Sequence, residues 1–250
     1  MLAAQDALRY AAIFGPGSVR LPSDGRIMTT LALLFTSPVV IKPVNDVARV
    51  AMPQVRMVNL LDDAILPDIA RAGNVAAVER RVALLAQCAA DANADAIVIT
   101  CSSISELASS AAQASRLPVY KIDEAMADEA VRCGSRIGVL ATLATTLDPT
   151  CRLIESRAKT AGKSITIRKK LAGDAFEQLS RGNGVAHDDI LRRALDELAR
   201  TQDVVVLAQA SMARLLDARP GAFPVPVLSS PRLGMERVRA SLQERGLAVV

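Results

Sequence analysis

The sequence is short of the groups that most often mark stacking, metal and dinucleotide sites. It has no Trp, two Tyr and four Phe in 250 residues, too few aromatics for a platform on which nucleic-acid bases stack. Its charge is dispersed: 30 basic and 26 acidic residues give a formal +4, and "RKK" at 168–170 is the one dense basic run. A nucleic-acid partner would need a larger electrostatic footprint. There is one histidine, and the four cysteines at 88, 101, 133 and 151 form no CxxC pair, so no metal site is expected. No G-x-G-x-x-G or G-K-[ST] follows an apolar run, which argues against dinucleotide and P-loop cofactors. No apolar stretch approaches the ~18 residues of a membrane span, and the N-terminus lacks the pattern of a signal peptide. The expectation is a cytoplasmic enzyme with reduced thiols, with no nucleic-acid or membrane partner.

What the sequence does hold is apolar character, at 51% of residues, enough for a substantial core. Residues 1–26 read as an N-terminal extension. From Ile27 onward strand patterns alternate with helical ones. Strands are expected at "TLALLFT", "QVRMVNLL", "DAIVIT", "LPVYKI", "RIGVLAT", "KSITIRK", "DVVVLA" and "FPVPVLS". Continuous apolar strands separated by helices indicate parallel sheets covered on both faces; "KSITI" alternates and reads as an edge strand.

The same layout occurs twice. Val119 follows Cys101 by 18 residues and Asp123 follows it by 22; Val227 and Pro231 follow Gln209 at the same two spacings. Thr36 precedes Cys101 by 65 residues and Thr142 precedes Gln209 by 67. The fold class is therefore α/β with two pseudo-symmetric Rossmann-like (flavodoxin-like) lobes, one over 27–135 and one over 136–250. Ligands of open α/β sheets bind beyond the carboxyl ends of the strands, so two facing lobes would place "TS", "TCSS", "LATLATT" and "LAQASM" around one inter-lobe cleft.

Cys101 ends one of these strands and precedes Ser102, Ser103 and Ser105, a pattern read as a helix start. There, backbone N–H groups would favour the thiolate and hold a substrate carboxylate. The plainer reading is a buried structural cysteine. Cys88, sharing a helical face with Leu84 and Leu85, and Cys133 read as packing; Cys151 is a weaker second-thiol candidate. His187 in "GNGVAHDD" is either a solvated residue beside an Asp188/Asp189 cap or an acid, base or carboxylate donor reaching the cleft. Hydroxyl residues crowd the strand ends, among them Ser37, Ser102, Ser103, Thr142, Thr145 and Ser211. Turns favour Ser and Thr in any case, but together they suggest a donor-rich pocket for anionic oxygens. Asp62 and Asp63 at a strand end read as ordering a loop, with a metal role the lesser alternative.

The segments "FTSPVVIKPVND", "VRMVNLLDD", "ADAIVITCSS", "PVYKIDEAM", "RIGVLAT", "VVVLAQASMARL" and "PVLSSPRLGMERV" resemble, in order and spacing, the cofactor-independent aspartate/glutamate/hydantoin racemase superfamily. The resemblance spans Ile27 to Leu242. It implies two pseudo-symmetric lobes with the active site between them, and proton removal and return by two cysteines, one per lobe, without pyridoxal or metal. Cys101 matches the first-lobe cysteine. The second-lobe cysteine sits in a "GCT" tip, where this chain has Ala208-Gln209-Ala210. An amide does not take an α-proton, so two-faced transfer would need another group, for which His187 is the one imidazole. The resemblance thus implies an isomerase acting on a small carboxylate with Cys101 as acid or base, and with Gln209 and the hydroxyls as binding groups. It also makes a homodimer a reasonable expectation. The related arylmalonate decarboxylases and maleate isomerases supply the alternative of one-thiol chemistry; a non-catalytic small-acid binder is the third reading.

Overall fold

In the computed structural model residues 28–217 and 223–249 are described; the extension expected at 1–26 lies outside the described residues. Two four-stranded sheets form, with every neighbouring pair parallel. The first has the order β2 (Arg56–Leu61), β1 (Thr30–Phe35), β3 (Ala96–Ile99), β4 (Val119–Lys121). The second repeats it as β6 (Thr166–Leu171), β5 (Arg136–Ala141), β7 (Val204–Leu207), β8 (Val227–Ser229). All eight expected strands are present, and β6, the alternating one, is an edge. The central strands read as unbroken apolar runs because both their faces are covered. "TLALLF" and "AIVI" are buried throughout, each fully buried Leu or Ile contributing about 1.5–3 kcal/mol.

The helices are α1 (Ile41–Ala51), α2 (Ile65–Ala72), α3 (Glu79–Asp91), α4 (Ala108–Ser115), α5 (Glu124–Cys133), α6 (Ala144–Thr160), α7 (Gly173–Ser180), α8 (Gly184–Ala199), α9 (Arg214–Asp217) and α10 (Ser230–Glu244). On one face the first sheet carries α2, α3 and α4. Its other face is covered by α1 and by α10, whose Met235, Val238 and Leu242 join Leu31, Leu33 and Phe35. The second sheet mirrors this. One face carries α7, α8 and α9; the other is covered by α6 and by α5, whose Met126, Ala127 and Ala130 pack on Ile137 and Val139. The last helix following each sheet therefore covers the sheet of the other lobe. Gly234 permits this for α10: a Cβ there would lie 2.3 Å from the Ile122 carbonyl oxygen at the end of β4.

An aspartate ahead of the third strand pins each lobe at its base. Asp95 accepts from the Thr30 N–H at 2.8 Å. Asp203 accepts from the Ser135 and Arg136 N–H groups at 3.0 and 2.8 Å and from the Arg136 guanidinium at 2.9 and 2.7 Å. These donors hold the Asp203 carboxyl at about 2, below the usual range.

The packing of two helices departs from expectation. Cys88 is exposed and Leu84 is 49% exposed. The face of α3 turned to the sheet is Val82, Ala86 and Ala89, a stripe one residue out of phase with the expected one. The helix carrying His187 starts at Gly184, capped by Asn183, whose side chain accepts from the Ala186 N–H at 3.2 Å. Asp188 and Asp189 therefore sit inside it, and His187 is buried at 2% exposure instead of solvated. Asp62 and Asp68 both accept from the Arg81 guanidinium, the loop-ordering role expected of the acidic pair at 62–63.

Candidate active site

In each sheet the chain reverses direction of travel between the first and third strands, and the crevice at this switch point is where α/β sheets hold ligands. The tips of β1 and β3 lead into Thr36 and Cys101; those of β5 and β7 lead into Thr142 and Gln209. The two pairs of tips face each other. The 3₁₀ turn after β1 (Pro38–Val40) contacts the 3₁₀ turn after β7 (Ala210–Met212), and the 3₁₀ turn after β3 (Ser102–Leu107) contacts α6 after β5. Across the second contact the Ser103 and Thr146 hydroxyls, both buried, lie 3.4 Å apart, and the exposed Arg152 Nε donates to Glu106 at 2.7 Å.

Cys101 is a half-buried free thiol in extended conformation, capping the turn Ser102–Leu107. The α-helix begins only at Ala108, so the thiol does not sit at an α-helix N-terminus, as its sequence suggested. The Thr36 hydroxyl and the N–H and hydroxyl of Ser103 are donors near enough to its sulfur to bear on its ionisation. These donors favour the thiolate, but burial of the sulfur outweighs them and the negative charge of Asp123 adds to burial, so the thiol titrates above its ordinary value.

The second lobe has the same backbone and different chemistry. Gln209 is the extended cap of its own 3₁₀ turn, with φ −123° and ψ 134° against −127° and 119° for Cys101. Its Oε1 accepts from the Thr142 N–H at 2.6 Å and the Thr142 hydroxyl at 2.9 Å. With the carbonyl end so held, Nε2 makes no hydrogen bond among the described residues and remains a donor. Thr142 thus serves Gln209 as Thr36 serves Cys101.

Of the remaining expected residues, Ser102 and Ser103 are buried in the turn behind the thiol. Ser37 and Thr145 lie, half-buried, on the segments that leave β1 and β5, and Ser211 lies in the turn after Gln209. All are therefore at strand tips. His187 lies on α8, which packs on α7, β5 and β7 of the second lobe, and its Nδ1 is 2.7 Å from Asp188 Oδ1. Cys133 packs at the edge of the second core. Cys151 is buried inside that core, where desolvation pushes its thiol to about 11. Asp123 and Ser105 join the site without having been picked out as site residues, and Thr146, one of the strand-end hydroxyls, joins it against Ser103. The signal for Asp123 was its fixed spacing from Cys101.

A family model described as Asp/Glu/Hydantoin racemase matches residues 36–238. No curated protein matches the sequence. Among solved structures the chain is similar to glutamate racemase RacE1 of Bacillus anthracis (15% identity, 88% of this chain and 84% of that one, TM-score 0.70). It is also similar to an aspartate racemase of Picrophilus torridus (12% identity, 89% and 96%, TM-score 0.64). A third similarity is to an allantoin racemase of Klebsiella pneumoniae (19% identity, 89% and 90%, TM-score 0.60). At these identities the structural matches speak for the two-lobe fold alone.

Proposed function

The chain belongs to the Asp/Glu/hydantoin racemase family, and from that premise we propose that it is a cofactor-independent isomerase acting at the α-carbon of a small carboxylate substrate. Cys101 is the acid or base of this reaction. The observation that carries the reading is the thiol at the switch point of the first sheet, surrounded by hydroxyl and N–H donors and facing the tips of the second sheet. The substrate carboxylate is held by the hydroxyls of Ser37, Thr145 and Ser211 and the Nε2 donor of Gln209, groups that stabilise the charge of an enediolate as it develops. Ser102, Ser103 and Thr142, already engaged with Asp123, the thiol side and Gln209, shape the pocket around it. For two-faced transfer the second acid–base group is assigned to His187. A reducing cytoplasmic setting would keep Cys101 a thiol.

The test is solvent deuterium entering the α-carbon across a panel of acidic amino acids and hydantoins. Exchange by the native protein and its loss in Cys101→Ala are expected; no exchange across the panel overturns the reading. Replacing His187 by Gln should suppress exchange from one enantiomer and spare the other.

One observation favours a second reading. An amide pinned by Thr142 stands at the tip that matches Cys101 in the second lobe, and an amide cannot remove a proton from the opposite face. One-faced chemistry, either decarboxylation of a disubstituted malonate or maleate-to-fumarate isomerisation, follows if deuterium enters from one side only. Carbon dioxide release or fumarate formation identifies which.

A further inference from the structure

Beneath the turn that presents Cys101 lies a carboxylate for which the proposed reaction has no use so far. Asp123, at the tip of β4 and the start of α5, is 1% exposed. The Ser105 hydroxyl, four residues beyond the thiol, lies 3.1 and 3.2 Å from its two oxygens, and the Ser102 hydroxyl of the same turn is near enough to favour its ionised form. Both serines are buried and both belong to the turn capped by Cys101. A carboxylate taken out of water at this cost is held in place by what it binds.

The second lobe supplies the control. Strands β3/β4 and β7/β8 pair in matching register, Ile97 with Val119 and Val205 with Val227, and Cys101 and Gln209 hold the same place at the head of matching turns. In that register Ser102, Ser105 and Asp123 correspond to Ala210, Ala213 and Pro231. Where the thiol is missing, both hydroxyls and the carboxylate are missing too, although the backbone is kept. A purely architectural role would have served both lobes alike. Ser103, whose counterpart Ser211 is kept, does not follow this pattern.

We propose that Asp123 is a positioning residue for Cys101: through Ser105, with Ser102 beside it, it fixes the turn that carries the thiol and sets a carboxylate behind the sulfur. This role rests on the assignment of Cys101 in the proposed reaction and gives that reaction a direction, because the resting thiol is then the acid. Burial raises the Asp123 carboxyl above its ordinary value while the Ser102 and Ser105 hydroxyls and Lys121 pull it back; where it is ionised, its negative charge opposes ionisation of the thiol. The charged groups around Asp123 are few. Lys121 on β4 acts on it and pairs with Glu124 at 3.7 Å. On the elements packed against α5, Arg157 is paired with Asp128 and Glu124, and Arg237 with Asp128.

The experiment follows iodoacetamide labelling of the native full chain against pH, with Cys101 read apart from Cys88, Cys133 and Cys151 by peptide mass spectrometry. Asp123→Asn should move the Cys101 labelling curve to lower pH; a midpoint lower by one pH unit makes labelling below it roughly tenfold faster. Asp123→Glu, which keeps the charge, should hold the curve near that of the native protein. The double variant Ser102→Ala/Ser105→Ala should move it the same way as Asn, because the carboxylate loses its donors and takes up a proton. A folded Asp123→Asn protein with an unmoved or raised curve overturns the proposal; if that protein does not fold, the same result in the serine double variant does. Labelling needs no turnover, so absence of deuterium exchange in the native protein would sink the proposed function and leave this test standing.

Discussion

The tips of β3 and β7 are one backbone with two chemistries. Each follows a buried third strand, caps a 3₁₀ turn and has beside it the threonine that follows the neighbouring first strand. One presents a sulfur that ionises and the other an amide that does not. Strand geometry is thus separable from proton chemistry. The dihedral angles and the threonine are common to both tips, while the thiol and its buried carboxylate occur at one and are both absent from the other. In the proposed reaction the first tip handles the proton and the second binds.

The sharpest way to break this comparison is Cys101→Ser, which should lower deuterium exchange by ~10²–10⁴-fold, the range of a removed acid–base group. Full turnover in that variant would leave the first tip no different from the second. Gln209→Cys would put a thiol at both tips. It is expected to raise exchange from the slower enantiomer by about tenfold, bringing the two enantiomers' rates together; an unchanged ratio would show that a thiol at this tip is not enough. Next comes Gly234→Ala, which tests the dependence of the lobes on each other's helices. Its Cβ would meet the Ile122 carbonyl oxygen and Cγ1, so a loss of about 1–3 kcal/mol in urea unfolding is expected, against the small gain alanine gives an unstrained helix. The smallest effect concerns the bases of the sheets. Asp203 has its carboxyl lowered to about 2, so its contribution is complete above the unfolded value near ~3.9 and fades as pH falls towards about 2. Asp203→Asn should flatten the stability curve in that window alone, read by thermal unfolding against pH.

Much of this was legible in the sequence. The eight strands were, because buried parallel strands are unbroken apolar runs bounded by turn residues. The paired tips were, because equal spacings from Cys101 and Gln209 reflect equal strand and crossover lengths. The state of the thiol was not. "TCSS" reads as a helix start that would lower a thiol's pKa, yet the turn is 3₁₀, the sulfur is desolvated and Asp123 comes from another strand. Burial and a contact across 22 residues leave no local mark. The face of α3 was missed because alanines, not leucines, approach the sheet: Ala86 and Ala89 fit closely where the larger Leu84 stays outside. The crossing of α5 and α10 to opposite sheets was equally hidden, since their amphipathic patterns show that a face is covered but not by which lobe.

That crossing bears on how the molecule is made and how it comes apart. A first half synthesised alone would present one side of its sheet with no α10 to cover it, and a second half would lack α5. Neither stretch has a finished interior, so the fragments 28–135 and 136–249 should aggregate when produced singly and recover a common structure when refolded together. The two lobes look like a pair of modules, but with their helices exchanged they should melt as one. A wide parting of the cleft would peel a helix from a core, so substrate has to enter by rearrangement of the turns at the strand tips.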